Sequence, residues 1–224
     1  MKHATAFRDY LRRVYWKWRS DRKTEPFPGS AAYWEKRYAS GGNSGVGSYD
    51  FFAEFKAEVL NQFVAARGVK TVIEFGSGDG NQLRLAQYPT YVGYDVSSTA
   101  VESCRGLFRD DATKSFHLLS EYDGRKAELA LSLDVIYHLV EDRIFETYMR
   151  TLFGAAEHYV VIYSSNTEDN RGSSPHVRHR NFTRWIDESL AGWRLAEHMP
   201  NKYPYRGDYR QGSFADFFIY EKTS

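Results

Sequence analysis

Three glycines at alternate positions, Gly76, Gly78 and Gly80, close the run Thr71-Val72-Ile73-Glu74-Phe75-Gly76-Ser77-Gly78-Asp79-Gly80, and Asp95 follows fifteen positions after the last of them. Glycines spaced this way let the backbone take positive φ and place no Cβ between the main chain and a ligand. A helix start beyond them offers free N–H groups. Ribose hydroxyls need an acceptor held at a fixed distance from such a turn, and the Asp95 carboxylate is one. The set suits a nucleoside-type ligand lying against backbone. The dinucleotide pattern Gly-x-Gly-x-x-Gly is missed, because its third glycine would fall at position 81, where Asn81 stands. A second set joins the carboxylate Asp134 to His138, His176 and His179, whose imidazoles move protons near neutral pH.

The elements that must position these residues can be read from pattern and punctuation. Residues 50–66 carry Phe51, Phe52, Phe55, Val59, Leu60, Phe63 and Val64 at helical spacing, and Gly68 is placed to stop the helix. Thr71 to Phe75 reads as a strand, residues 81–86 as a short helix broken near Pro89, and Tyr91 to Asp95 as a second strand. Ser97 or Ser98 caps a helix reaching Phe108. Phe116-His117-Leu118-Leu119 is a third strand, and Glu128 to Leu133 is an apolar strand of the kind buried in a parallel sheet. A helix at 141–156, a strand at 158–164, a helix at 183–190 and two strands at 194–199 and 214–220 follow. The turn-rich link 201–212 makes the last two an antiparallel hairpin at the sheet edge. Five strands alternating with helices, then a hairpin, predict an α/β, Rossmann-like, seven-stranded, mostly parallel sheet with helices on both faces.

Glu74-Phe75-Gly76-Ser77-Gly78-Asp79-Gly80 fits Glu-x-Gly-x-Gly-x-Gly and resembles the first motif of class I S-adenosylmethionine-dependent methyltransferases. Tyr91-Val92-Gly93-Tyr94-Asp95-Val96-Ser97 resembles the second motif of that family, whose acidic residue binds the ribose. Asp134-Val135-Ile136-Tyr137-His138-Leu139 resembles the fourth, which leaves the sheet beside the sulfonium. The resemblance spans residues 50–220 and implies S-adenosylmethionine as cofactor. It assigns cofactor contacts to Glu74, Gly76, Ser77, Gly78, Gly80, Asp95, Val96 and Asp134. After the third strand, Glu121 or Asp123 would accept from the adenine amino group while Tyr122 stacks on the ring.

Ahead of residue 50 the pattern changes. Residues 4–25 set Phe7, Tyr10, Leu11, Val14, Tyr15 and Trp18 against seven arginines and lysines at helical spacing, an amphipathic basic helix that ends at Pro26 and Pro28. It reads either as a surface for an anionic membrane or acidic polymer, or as an extra helix packed by its aromatic face. Tyr33-Trp34-Glu35-Lys36-Arg37-Tyr38 followed by Gly41-Gly42 resembles the lead-in of small-molecule and glycan methyltransferases. The Gly/Ser-rich stretch 40–48 reads as a lid over the ligand or as a linker. The division is thus 1–49, helical extension and lid, and 50–224, methyltransferase domain.

In an open parallel sheet the ligand lies beyond the carboxyl ends of the strands, where Glu74, Asp95 and Asp134 all stand. For a hydroxyl acceptor a base is needed, and His138, four residues after Asp134, is the first candidate, with His176 and His179 behind it. Arg178 and Arg180 beside them read as holding an anionic or sugar substrate, or as solvated. Asp134 with Asn166 or Asp169 could hold Mg²⁺, although the spacing is loose and capping explains Asn166 equally. No Asn/Asp-Pro-Pro-Tyr motif of DNA N-methyltransferases follows the fourth strand. The expected reaction is O-methylation of a sugar, glycan or other small molecule. The rivals are a methyltransferase for protein or nitrogen acceptors, a non-catalytic scaffold and a nucleotide-binding oxidoreductase.

The totals agree with a globular enzyme. The 224 residues are 42% hydrophobic, and a formal charge of +1 leaves no global basic footprint for nucleic acid. One cysteine, Cys104, excludes an internal disulfide and a cysteine-rich zinc site. With no apolar run long enough for a bilayer and no apolar signal region at the start, a cytoplasmic location is expected.

Overall fold

A computed structural model describes residues 26–223, so the basic segment 4–25 lies outside the described residues. In chain order the elements are α1 (Ser30–Ala39), α2 (Asp50–Arg67), β1 (Thr71–Phe75), β2 (Thr90–Asp95), α3 (Ser98–Leu107), β3 (Lys114–Leu118) and β4 (Ala127–Leu133). Then come α4 (Asp142–Ala155), β5 (Ala156–Ser164), α5 (Phe182–Ser189), β6 (Trp193–Met199) and β7 (Asp216–Lys222).

Among the described residues the strands form one seven-stranded sheet in the order β3-β2-β1-β4-β5-β7-β6. β1 to β5 are parallel, and β7 runs against both its neighbours, β5 and β6. The expected hairpin is therefore present, with β7 inside and β6 at the edge. Strand order reverses between β1 and β4, so their carboxyl ends open a crevice.

Alternation along the strands assigns the two faces. Val72, Leu129, Leu131 and Val161 meet Leu60 and Val64 of α2 and Val101 and Cys104 of α3. Ile73, Ala130, Val160 and Ile162 meet Phe145, Met149 and Leu152 of α4 and Phe182 and Ile186 of α5. α2 stops where Gly68 takes φ 65, a left-handed cap that suits glycine. Ser97 caps α3, its side chain accepting the Ala100 N–H at 3.1 Å.

One connection is leaner than the pattern predicts. The helix expected at 81–86 is a single 3-10 turn, Gln82–Leu85, and Ala86 beyond it is extended. With Pro89 close behind, no room remains for further turns before β2. Between β3 and β4 there is a 3-10 turn, Leu119–Glu121, and a loop, which leaves the flank of α4 at Ile144 and Thr147 uncovered beside the crevice. α1 bridges the crevice from above. Ser30 at its start donates through N–H (2.9 Å) and hydroxyl (2.6 Å) to Glu141 ahead of α4, and Glu35 accepts from the Thr99 hydroxyl of α3 at 2.6 Å.

Candidate active site

The glycine turn is fastened to β2 by its own backbone. Gly76 N–H donates to Tyr94 O at 2.7 Å, and Gly78 N–H to Asp95 Oδ2 at 2.9 Å. Gly76 and Gly78 have φ of 91 and 58, and a Cβ on Gly76 would run into Val135, one on Gly78 into Ser44. Asp95 is buried, and its Oδ1 accepts the Ser97 N–H at 2.9 Å, so turn, carboxylate and helix cap form one unit. Cys104 backs it, donating to Gly78 O at 3.2 Å. It is a packing residue; burial pushes its thiol pKa up.

A cavity of 460 Å³ lies over this unit. Of the residues singled out from sequence, Glu74, Gly76, Ser77, Gly78, Asp95, Val96, Tyr122, Asp134 and His138 line it. Gly80 does not; its missing Cβ makes room for Cys104 and Phe108 of the α3 segment, a packing requirement. Glu121 is exposed and turned back, Oε2 accepting the Leu118 N–H at 2.9 Å. Capping its own 3-10 turn takes it out of the lining, where Leu119 and Tyr122 stand instead.

Asp134 leaves β4 with φ 59, a left-handed conformation costly for a side chain with a Cβ. Its Oδ1 accepts from the Tyr137 hydroxyl at 2.8 Å, and its Oδ2 from Lys56 Nζ at 2.6 Å. Lys56 was not found by sequence reading. It belongs to α2, is 1% exposed, and its ammonium lies 5.2 Å from the Tyr163 ring centroid. A signal existed: Lys56 stands four residues after Phe52 and four before Leu60, on the stripe that faces inward.

The His138 ring lines the same cavity, with Nδ1 3.0 Å from His176 O. A carbonyl only accepts, so Nδ1 carries the proton and Nε2 presents its lone pair, with no hydrogen-bond partner among the described residues. Burial pulls the His138 pKa down from 6.5 to about 4. The expectation of a base titrating near neutrality is thereby corrected: the ring is neutral at pH 7, and its conjugate acid is stronger than that of free imidazole.

His176 and His179 are not among the cavity-lining residues. His176 stacks on Tyr33 at 4.5 Å and supplies the carbonyl that fixes His138, while His179 Nδ1 pairs with Ser165 Oγ at 2.6 Å. Arg178 and Arg180 donate to the carbonyls of Val140 and Leu139 and pair with Asp142, holding the loop to the start of α4. Asn166 engages Thr183 and Asp169 engages Arg171, so neither meets Asp134, whose charge Lys56 already balances. Among the described residues no group of three or more His, Cys, Asp or Glu is disposed to hold a metal.

The stretch 40–48 is latched to the glycine turn. Ser44 N–H donates to Asp79 Oδ2 at 2.8 Å, Asp79 N–H to Ser44 Oγ at 3.0 Å, and Tyr49 OH to Asp79 Oδ2 at 2.8 Å. Trp34, Tyr38, Ser44 and Ser48 thereby become the upper wall of the cavity.

An adenosyl ligand fits what is there. Ser77 Oγ and Gln82 Oε1 are buried without a hydrogen-bond partner and belong to cavity-lining residues. Gly76 and Gly78 bring bare backbone to the cavity wall, with Val135 and Ser44 packed where a Cβ would stand, and Asp95 keeps lone pairs beyond its two N–H donors. Three carboxyl groups, Glu74, Asp95 and Asp134, and two cationic side chains, buried Lys56 and exposed Arg143, line the cavity; Lys56 is paired with Asp134, which leaves Glu74 and Asp95 to face a cationic ligand.

Comparison with known proteins bears on the fold. No family model and no curated protein matches the chain. Solved structures do, and they establish the class I methyltransferase fold. The N-methyltransferase NodS from Bradyrhizobium japonicum WM9, in complex with S-adenosyl-L-homocysteine, superposes with a TM-score of 0.66 at 13% identity, covering 88% of this chain and 100% of that one. Magnesium protoporphyrin IX methyltransferase (ChlM) from Synechocystis PCC 6803 with bound SAH gives 0.63 at 14%, covering 86% and 98%. The methyltransferase domain of bacterial CtHen1-C gives 0.58 at 17%, covering 75% and 97%.

Proposed function

We propose that this chain is an S-adenosylmethionine-dependent methyltransferase acting on a hydroxyl of a sugar, glycan or other small molecule. The observation that carries the reading is a single cavity joining the glycine cradle and Asp95 to the open Nε2 of a neutral His138. Residues 1–49 serve as extension and lid and residues 50–224 as the methyltransferase domain. NodS is an N-methyltransferase and ChlM a magnesium protoporphyrin IX methyltransferase, so these neighbours point to no single acceptor. Among the described residues no helix is long and apolar enough to cross a membrane. The single cysteine supports a cytoplasmic location.

The bound cofactor supplies an electrophilic methyl group on a sulfonium. Asp95 would hold the ribose hydroxyls, the glycine turn would give backbone contact, and Tyr122 and Leu119 would flank the adenine. Trp34 and Tyr38 exclude water from above. His138 Nε2 accepts the hydrogen bond of the acceptor O–H and so orients an oxygen lone pair for in-line attack. An alcohol oxygen becomes strongly acidic as it gains a third bond, so a weak neutral base is sufficient to take the proton at that stage.

Asp95→Ala is expected to raise the dissociation constant for S-adenosylhomocysteine about 10–100-fold, the range for losing charge-assisted hydrogen bonds, as read by calorimetry. An unchanged constant would remove the ribose assignment. The reaction itself is tested by transfer of labelled methyl from S-adenosylmethionine into polysaccharide, small-molecule, protein and nucleic-acid fractions of the native host, with Asp95→Ala as the blank. Label confined to protein or nucleic acid would overturn the acceptor class.

Glu74 adds a pH dependence. Burial raises its pKa from 4.5 to about 7, against the Tyr91 hydroxyl that donates to it at 2.7 Å. Below pH 7 it is largely neutral, and above it is a carboxylate able to favour a cationic ligand. Affinity for S-adenosylmethionine should therefore rise with pH up to about 7, by at most about tenfold per unit, and then level off. Calorimetry in buffers of different ionisation enthalpy should show a proton released on binding at pH 6.5. A flat affinity in wild type, or the same slope in Glu74→Gln, would refute the assignment.

A further inference from the structure

A second cleft, of 410 Å³, lies at the same carboxyl edge of the sheet, where β5 ends and β7 begins. Asn166, Thr167, Thr183, His198, Phe214 and Asp216 line it. Phe214 is 42% exposed, so part of its ring is open to solvent at the cleft. The same ring contacts His179 at 4.8 Å and Tyr137 at 5.2 Å, and Tyr137 in turn contacts His138 at 4.5 Å. The cleft is thus two ring contacts away from the imidazole that faces the main cavity.

Its polar side chains are held in place rather than solvated at random. His198 Nε2 pairs with Asp216 Oδ2 at 2.9 Å, and Asp216 Oδ1 accepts the Asn201 N–H at 2.8 Å. Asn166 donates to Thr183 Oγ1 at 2.9 Å and accepts the Thr183 N–H at 3.3 Å. After these bonds Asn166 keeps a second amide proton and His198 keeps Nδ1, neither with a partner among the described residues. An exposed aromatic face beside fixed, planar donors and acceptors matches one ligand chemistry well. A pyranose ring offers polarised C–H groups to the negative face of an arene and hydroxyls around its rim. A nucleotide fits poorly, because no lysine or arginine lines the cleft and Asp216 would repel a phosphate.

We infer that this cleft is a glycan-reading subsite that holds an uncharged pyranose ring against Phe214, with Asn166, His198 and Asp216 reading its hydroxyls. Its service as an acceptor subsite rests on the proposed sugar O-methylation, in which the ring in the cleft anchors the glycan that is methylated. The binding itself depends only on the cleft.

The test is saturation-transfer NMR on the full chain with methyl hexopyranosides and neutral hexose disaccharides, each with and without S-adenosylhomocysteine. Saturation of sugar ring protons is expected, with affinity reduced about tenfold in Phe214→Ala and also reduced in His198→Ala, while both variants bind S-adenosylhomocysteine as wild type does. Retained adenosyl affinity shows that the variants are folded. Absence of transfer from every saccharide, or transfer undiminished in Phe214→Ala, overturns the subsite while leaving the methyltransferase reading intact. Adenosine monophosphate or an apolar peptide occupying the Phe214 face instead would also overturn it. Saccharide binding in a protein that binds no adenosyl ligand would keep the subsite and remove the methyltransferase reading.

Discussion

Lys56→Met is expected to lower the unfolding free energy by about 3–5 kcal/mol, the usual cost of removing one partner from a buried ion pair. Lys56 is 1% exposed and the Asp134 side chain 14%, so the carboxylate left behind has little water to replace the ammonium lost from 2.6 Å away. The conformation of Asp134 adds to the cost. Its φ of 59 is held by the Lys56 and Tyr137 bonds together, and one bond alone has to hold it in the variant. Urea unfolding should show a lower midpoint with an unchanged slope. Asp134→Asn in the Lys56→Met background should recover most of the loss, since the uncompensated charge is then gone. A loss below about 1 kcal/mol, the level of a surface pair, would show that the pair is solvated and unimportant for the fold.

That pair marks the boundary of what could be read from sequence. The glycine turn, Asp95 and the Ser97 cap were legible because each depends on residues close in the chain: glycines at positive φ, a strand-end carboxylate, a serine before a helix. The sheet was legible because alternation and turn composition leave few topologies once right-handed crossovers are required. The short link after Gly80 was overread as a helix, since Asn81 to Ala86 have helical residue types but too little length before Pro89. Lys56 and Asp134 lie 78 positions apart, and only a lysine on an apolar stripe hinted at the contact. Glu121 and the loop histidines misled for a related reason. Their residue types suit a site, but the orientation of a loop side chain is decided by nearby backbone donors and by ring packing, which spacing does not record. The weakness of His138 as a base was equally hidden, because its depressed pKa comes from burial contributed by the whole fold.

The geometry also explains why Asp134 serves the site best as a fixed support. Both its oxygens are engaged by neighbouring side chains, Oδ1 by the Tyr137 hydroxyl and Oδ2 by the Lys56 ammonium. Its hydroxyl partner Tyr137 packs on His138, and the His176 carbonyl fixes the imidazole tautomer from the other side. Two independent anchors therefore set the direction of Nε2. Rigid support of this kind suits methyl transfer, where alignment of the acceptor supplies most of what the protein must add.

His138→Ala should then lower kcat by about 10²- to 10⁴-fold, the range for loss of a positioned proton acceptor, while affinity for S-adenosylhomocysteine stays within about twofold of wild type. The ring hydrogen-bonds to the His176 carbonyl and to neither Asp95 nor the glycine turn, which is why cofactor binding should survive. Its pH behaviour distinguishes this role from that of an ordinary histidine base. With a pKa of about 4 in place of 6.5, His138 is neutral throughout the range in which free imidazole would titrate. At saturating cofactor, which removes the Glu74 contribution to binding, kcat should show no inflection near 6.5 and should fall only as pH drops toward 4, where Nε2 is protonated and can no longer accept. His138→Gln offers the sharper control, because its amide oxygen can accept the acceptor hydrogen bond but cannot take the proton. If orientation dominates, His138→Gln should recover much of the activity lost in His138→Ala; if proton removal dominates, both variants should be equally slow. Wild-type activity in His138→Ala would exclude the imidazole from the reaction. An inflection near 6.5 that vanishes in the variant would show instead that the ring titrates as it does in water and is less buried than its packing against Trp34 and Tyr137 requires.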